Sequence, residues 1–165
     1  MLYLSQQQKT QSATTLRALN AADGYLFFSM YDEALQELES IGPDEHQEAA
    51  VMLARIRLLL HKKEWRSAER LSEEGAGLHP NEGEFTVQRA FALHQLRKGD
   101  EAMEVLLSAP DWIRRTGILH YNLACYEARL GDISIAKQCI DAAIQINEGI
   151  KKSARMDPDL QALWN

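Results

Sequence analysis

Apolar residues recur along this chain at the three-to-four-residue spacing of amphipathic helices, and no segment alternates apolar and polar residues as a half-buried strand does. The stretches fall in pairs, each pair divided by a short polar turn. The pattern predicts helices at 12–28 and 31–41, 46–61 and 65–77, 82–97 and 100–108, and 116–130 and 133–147. Turn formers such as Gly42-Pro43, Pro80, Pro110 and Gly131 stand between them.

The pairs repeat with a fixed period. Alanine occurs at 34, 68, 102 and 136, one residue every 34. Neighbouring columns agree in character. Twelve residues before each alanine stand Ala22, Ile56, Ala90 and Ala124, and seven after stand Ile41, Gly75, Ala109 and Ala143. Two antiparallel helices approach closely only where side chains are small, so these columns mark helix crossings. Bulkier residues fill the gaps beside them: Tyr25, Leu59 and Leu93 in one column, Leu38, Leu106 and Ile140 in another. Glu127 and Ser72 interrupt those two columns, with Tyr126 and Leu71 expected to cover for them.

Tyr121-Asn122-Leu123-Ala124 through Leu130-Gly131-Asp132 to Ala136 and Ala143-Ile144 resembles the tetratricopeptide repeat. Met30-Tyr31-Asp32-Glu33-Ala34-Leu35 and Lys98-Gly99-Asp100-Glu101-Ala102 match less closely. The resemblance spans about residues 15–148. It implies an all-α fold, a right-handed superhelix of stacked antiparallel helical hairpins, in a single domain over 1–165. The repeats would cover about 15–48, 49–82, 83–116 and 117–148. Capping helices are expected over 149–165, where Asp157-Pro158 reads as an N-cap and first helical residue ahead of Leu160, Leu163 and Trp164. Similar Asp-Pro-Asp-Leu endings follow the last repeat in many bacterial members of the family. The chain departs from the family pattern in two ways. Only the second repeat ends in the expected proline, Pro80, and the third carries its glycine two positions late, at Gly99, which predicts an altered turn there.

Charge narrows the function. Eighteen Lys and Arg against 24 Asp and Glu leave a net charge of −6, which disfavours nucleic acid and anionic membranes as partners. Met1-Leu2-Tyr3-Leu4 is apolar but runs straight into Ser5-Gln6-Gln7-Gln8-Lys9, too short for a secretory signal core, and no apolar run approaches the ~20 residues of a membrane span. The two cysteines, Cys125 and Cys139, lack any metal-ligand spacing and read as reduced thiols of a cytoplasmic protein. No phosphate-binding loop, dinucleotide fingerprint, zinc-protease helix or nucleophile elbow is present, so no enzymatic activity and no cofactor are expected. His61 and His94 fall on inward columns, but two histidines are too few for a metal centre.

In the family, the first helix of each repeat lines the inner groove. Carried onto this sequence, that face presents Asn20 and Phe27 from the first repeat and Arg57 and His61 from the second. Phe91 and His94 come from the third, and Tyr121, Asn122 and Arg129 from the fourth. The family's carboxylate clamp for chaperone tails is not reproduced: Asn20 matches one asparagine, but Ala54 replaces the second, Glu84 stands at a lysine position and Gln88 at the arginine. Glu84 would repel a terminal carboxylate. The resemblance therefore implies a non-enzymatic protein-interaction module that holds an extended peptide or helix in its groove. The alternative is a small chaperone for a secreted or unstable client. Trp65, Trp112 and the Met1–Leu4 segment are candidates for exposed apolar area, consistent with a monomer or weak homodimer.

Overall fold

The computed structural model describes residues 12–164, and the Met1–Leu4 segment lies outside the described residues. Four helical hairpins follow one another along the chain. α1 (Ala13–Phe27) pairs with α2 (Tyr31–Glu39), α3 (Ala49–His61) with α4 (Trp65–Leu78), α5 (Glu84–Gln95) with α6 (Gly99–Leu107), and α8 (Gly117–Leu130) with α9 (Ile133–Ile146). A short α7 (Asp111–Arg114) sits between the third and fourth hairpins. The chain ends in α10 (Ile150–Met156) and a 3-10 turn, Pro158–Leu163. Successive first helices pack on one another, α1 on α3, α3 on α5 and α5 on α8. The result is an all-α solenoid with no strand among the described residues.

The turn within each hairpin is the same in all four repeats. Backbone N–H groups of Met30, Glu64, Lys98 and Asp132 donate to the carbonyls of Tyr25, Leu59, Leu93 and Glu127, at 2.9 to 3.0 Å. The preceding N–H groups, of Ser29, Lys63, Arg97 and Gly131, donate to Leu26, Leu60, His94 and Ala128. This pair of bonds is the Schellman ending, which requires a left-handed residue after the helix. That residue is Ser29 at φ 59°, Lys63 at 60°, Arg97 at 66° and Gly131 at 97°. The displaced Gly99 therefore does not alter the third turn, contrary to the sequence expectation. The paired hydrogen bonds hold Arg97 in a conformation that glycine adopts at less cost.

The second helices differ in length. α4 and α9 run for 14 residues, whereas α2 and α6 stop after nine. The shortened pair end before Gly42-Pro43 and Pro110, since proline cannot continue the hydrogen-bond ladder. A 3-10 turn at Pro43–Glu45 and helix α7 fill the space left. Arg114 of α7 donates through Nε to the Ala109 carbonyl at 3.1 Å and through a second nitrogen to Leu107, satisfying the open end of α6.

The small-residue columns lie at the helix crossings. Ala34, Ala68, Ala102 and Ala136 are all fully buried, as are Ala22, Ile56, Ala90 and Ala124. At Gly75 the ring of Phe85, itself fully buried, rests where a Cβ would stand, so the second repeat uses glycine to admit an aromatic ring. Tyr126 is buried beside the half-buried Glu127, but in the second repeat Ser72 itself is fully buried and Leu71 only half-buried, so Leu71 does not take its place.

Candidate peptide-binding groove

The stacked first helices enclose a cleft of about 470 Å³. Arg57, Leu60 and His61 come from α3, Val87, Gln88 and Phe91 from α5, and Asn122 from α8. Trp65, the first residue of α4, closes the side. Its indole meets the Phe91 ring edge-on, with centroids 6.2 Å apart and planes at 80°, a favourable aromatic geometry. The centre of the cleft is apolar and its rim carries side-chain amides. The side-chain amides of Gln88 and Asn122, each with donors and an acceptor, line this cleft.

Arg57 is less free than its position implies. Its guanidinium donates to both carboxylate oxygens of Asp23 on α1, at 2.9 and 3.2 Å, one repeat away. The pair is half exposed and contributes little to stability, but it partly neutralises the cation at this end of the cleft.

A second space of about 320 Å³ adjoins the first and shares Phe91 and Asn122 with it. His94, Tyr121 and Arg129 line this space as the inward columns imply, but each already holds a partner from the end of the chain. The Tyr121 hydroxyl donates to Asp157. Arg129 donates from Nε to Asp159 Oδ1 at 2.9 Å, and His94 Nε2 lies 3.0 Å from Asp159 Oδ2. Arg129 also donates to the His94 carbonyl at 3.1 Å. The tail packs on α9 as expected, through the helix α10 and a 3-10 turn, but the turn also reaches α8 and enters the groove. Its geometry follows from sequence. Asp157 caps the turn by accepting from the Asp159 N–H at 2.9 Å, Pro158 supplies a fixed φ at the first position, and Leu160 is fully buried below.

The environment fixes protonation. Burial is the main force holding His94 below its ordinary value of 6.5; the nearby Arg129 and Arg97 guanidiniums act in the same direction, against the pull of Asp159. The imidazole is therefore neutral near pH 7, donates from Nε2 to Asp159 and stacks on Tyr126 at a centroid distance of 4.4 Å. Burial, and then the Asp157 carboxylate, push the Tyr121 hydroxyl and the Cys125 thiol upward, so both keep their protons. Cys125 Sγ and the carboxylates of Asp157 and Asp159 lie within 4.8 Å of one another. Asp157 accepts from the Tyr121 hydroxyl, Arg129 stands against Asp159, and the thiol lies 3.8 Å from Asp157 Oδ2, so the trio is joined in one hydrogen-bonded cluster. His61 lies apart from it, in the apolar cleft, with its ring centroid 6.1 Å from that of Tyr31.

Two other residues of the inward columns are not among those lining either space. Asn20 is exposed on α1, and Phe27 is 83% exposed at its end, edge-on to Phe28 at 5.2 Å. Conversely, Trp65 lines the cleft although the sequence marks it only as exposed apolar area. It belongs to a second helix, outside the inward columns. The available signal is its own column, Tyr31, Trp65, Gly99 and Ile133, which places a large ring at the mouth of the second repeat. Trp112 is half exposed, its indole N–H donating to the Asn81 carbonyl at 3.3 Å. Both cysteines are free. No helix among the described residues is long and apolar enough to cross a membrane.

No family model and no curated protein sequence matches the chain. Solved structures do. MamA residues 41 to the end from Desulfovibrio magneticus RS-1 superposes with a TM-score of 0.67 at 14% identity, over 84% of this chain and 78% of that one. MamA AMB-1 gives 0.68 at 14% identity over 93% and 86%, and MamA MSR-1 gives 0.63 at 19% identity over 81% and 77%. Identities this low speak to architecture: the chain has the all-α solenoid fold of the tetratricopeptide repeat.

Proposed function

We propose that this chain is a non-enzymatic protein-interaction module whose cleft holds an extended peptide, an apolar or aromatic side chain seated against the Trp65–Phe91 pair. One observation carries the reading. An open apolar cleft of about 470 Å³, built from three successive repeats, is lined also by the side-chain amides of Gln88 and Asn122. Apolar anchor pockets flanked by groups that bond a peptide backbone are a recurring mode of peptide recognition. The fold is one that presents such surfaces.

The test is selection of peptides from a random display library on the purified chain, followed by affinity measurement on variants of confirmed helical CD. Trp65→Ala and Phe91→Ala are each expected to weaken binding by roughly tenfold or more, as truncation of a buried aromatic anchor does. Affinity is expected to change little between low and high salt, because apolar burial is not screened. Selected peptides that ignore both substitutions, or that are released by salt alone, would refute the assignment.

A second reading, a chaperone for an unstable client, is favoured by the exposed Phe27 and Phe28 pair at the end of α1, 83% and 70% accessible. Under that reading Phe27→Ser with Phe28→Ser abolishes suppression of client aggregation, while Phe91→Ala leaves it intact.

A further inference from the structure

The carboxy-terminal end of the groove already contains a ligand. Asp157 and Asp159, two residues apart at one 3-10 turn, accept hydrogen bonds from Tyr121, His94 and Arg129, and Leu160 anchors the turn beneath. The receptor presents four donor side chains, the Cys125 thiol the weakest of them, and one full positive charge to two carboxylates. It is continuous with the apolar cleft through Phe91 and Asn122, so a chain running along the groove from α3 towards α8 meets the tail. The docked turn leaves about 320 Å³ beside it.

We infer that this end of the groove is a binding subsite for an acidic Asp-x-Asp-Leu turn of a partner protein, and that the chain's own residues 157–160 occupy it until such a turn replaces them. The energetics favour exchange over vacancy. His94 is only 3% exposed, and withdrawing Asp159 without a substitute leaves its N–H buried and unpaired. The tethered tail competes at an effective concentration of roughly millimolar order. A displacing segment therefore gains most when it also fills the apolar cleft. The fitting partner carries an apolar or aromatic anchor followed by an Asp-x-Asp-Leu turn. The anchor requirement, unlike the turn, rests on the groove reading given above.

The probe is a labelled synthetic peptide with the sequence of residues 155–165, offered to the full-length chain. It is expected to bind a variant with Asp157→Asn and Asp159→Asn roughly tenfold more tightly than wild type, because the internal competitor is weakened. Adding Arg129→Gln to that variant, or Asp→Asn at both positions of the peptide, is expected to abolish binding. Equal affinity for the wild type and the double variant, or indifference to Arg129→Gln, overturns the inference. Hydrogen exchange provides a test that needs no variant. Exchange of segment 157–164 in the wild-type chain is expected to rise with added peptide while α8 stays protected, and an unchanged rate overturns the inference. A chain that is dimeric only when Asp157 and Asp159 are intact assigns the subsite to a second copy and overturns the partner reading. Trp65→Ala is expected to leave binding of this peptide unchanged, which separates the subsite from the apolar cleft: failure of either reading leaves the other standing.

Discussion

His94 shows how one side chain can tie repeats together. It belongs to α5, its hydrogen-bond partner Asp159 to the tail, its stacking partner Tyr126 to α8, and Arg129 of α8 reaches its carbonyl. Burial keeps the ring neutral in the native state, below its ordinary value of 6.5, while the unfolded chain takes up a proton as the pH falls past 6.5. The unfolded state then binds more protons than the native one, so stability rises with pH across this window. The contribution is complete above 6.5 and is lost on acidification. The thermal midpoint is thus expected to fall from pH 7 to pH 5, and by less in His94→Gln, which keeps an N–H for Asp159 and does not titrate. Parallel midpoint curves for the two proteins would show that His94 contributes nothing to the slope. Ser29 and Lys63 carry a different local cost. Each holds a left-handed backbone with a side chain exposed. Ser29→Gly and Lys63→Gly are expected to stabilise the fold by about 1 kcal/mol each, the relief of Cβ strain exceeding the entropy glycine adds to the unfolded chain. Chemical denaturation measures this. A loss of stability at both sites would mean that the side chains matter more than the backbone.

The hairpins are the most legible feature of the sequence, because helical periodicity and a 34-residue register of small residues are signals summed over many positions. α3 and α4, predicted at 46–61 and 65–77, are found at Ala49–His61 and Trp65–Leu78. What escapes the pattern is local. α7 has four residues and the turn at Pro43–Glu45 has three, too few for any period to show. The third turn departs from expectation because glycine is not necessary for its conformation: the two Schellman bonds hold Arg97 in it. The crossing columns yield a prediction proper to paired helices. Ala68→Leu and Ala102→Leu, both at fully buried crossings, are expected to cost about 1–3 kcal/mol by forcing the backbones apart. Gly75→Ala is expected to fall in the same range, since its methyl group must displace the buried Phe85 ring. Unchanged denaturation midpoints in all three would mean that the crossings have slack the packing does not show.

Over the whole molecule, the inward columns point to most of the groove. Phe91 and Asn122 emerge from them, and both spaces in the groove are built around these two residues. The tail leaves no such trace, because Asp157 and Asp159 reach Tyr121 and Arg129 across 36 and 30 residues and no local pattern records the meeting. Its docking makes the two ends of the solenoid unequal. α8 is packed by α5 and α6 on one side and by α9, α10 and the terminal turn on the other, whereas α1 contacts chiefly α2 and α3. In a solenoid, stability is close to a sum of repeat and neighbour terms, so a helix with fewer neighbours opens locally at lower free energy. Backbone amides in the interior of α8 are therefore expected to exchange with solvent the most slowly in the chain, and those of α1 and α2 roughly tenfold or more faster, about 1.4 kcal/mol in opening free energy. The charge clamp contributes to this gradient. Asp159→Asn removes the charge opposite Arg129 and is expected to raise exchange in α8 and α10 while leaving α1 unaffected, since the tail packs mainly on α8, α9 and α10. Mass-spectrometric hydrogen exchange resolves all four segments in one experiment. Uniform exchange from α1 to α8 would mean that the array opens as a single cooperative unit, and a response of α1 to Asp159→Asn would mean that the coupling runs through the stack rather than ending at the nearest neighbour.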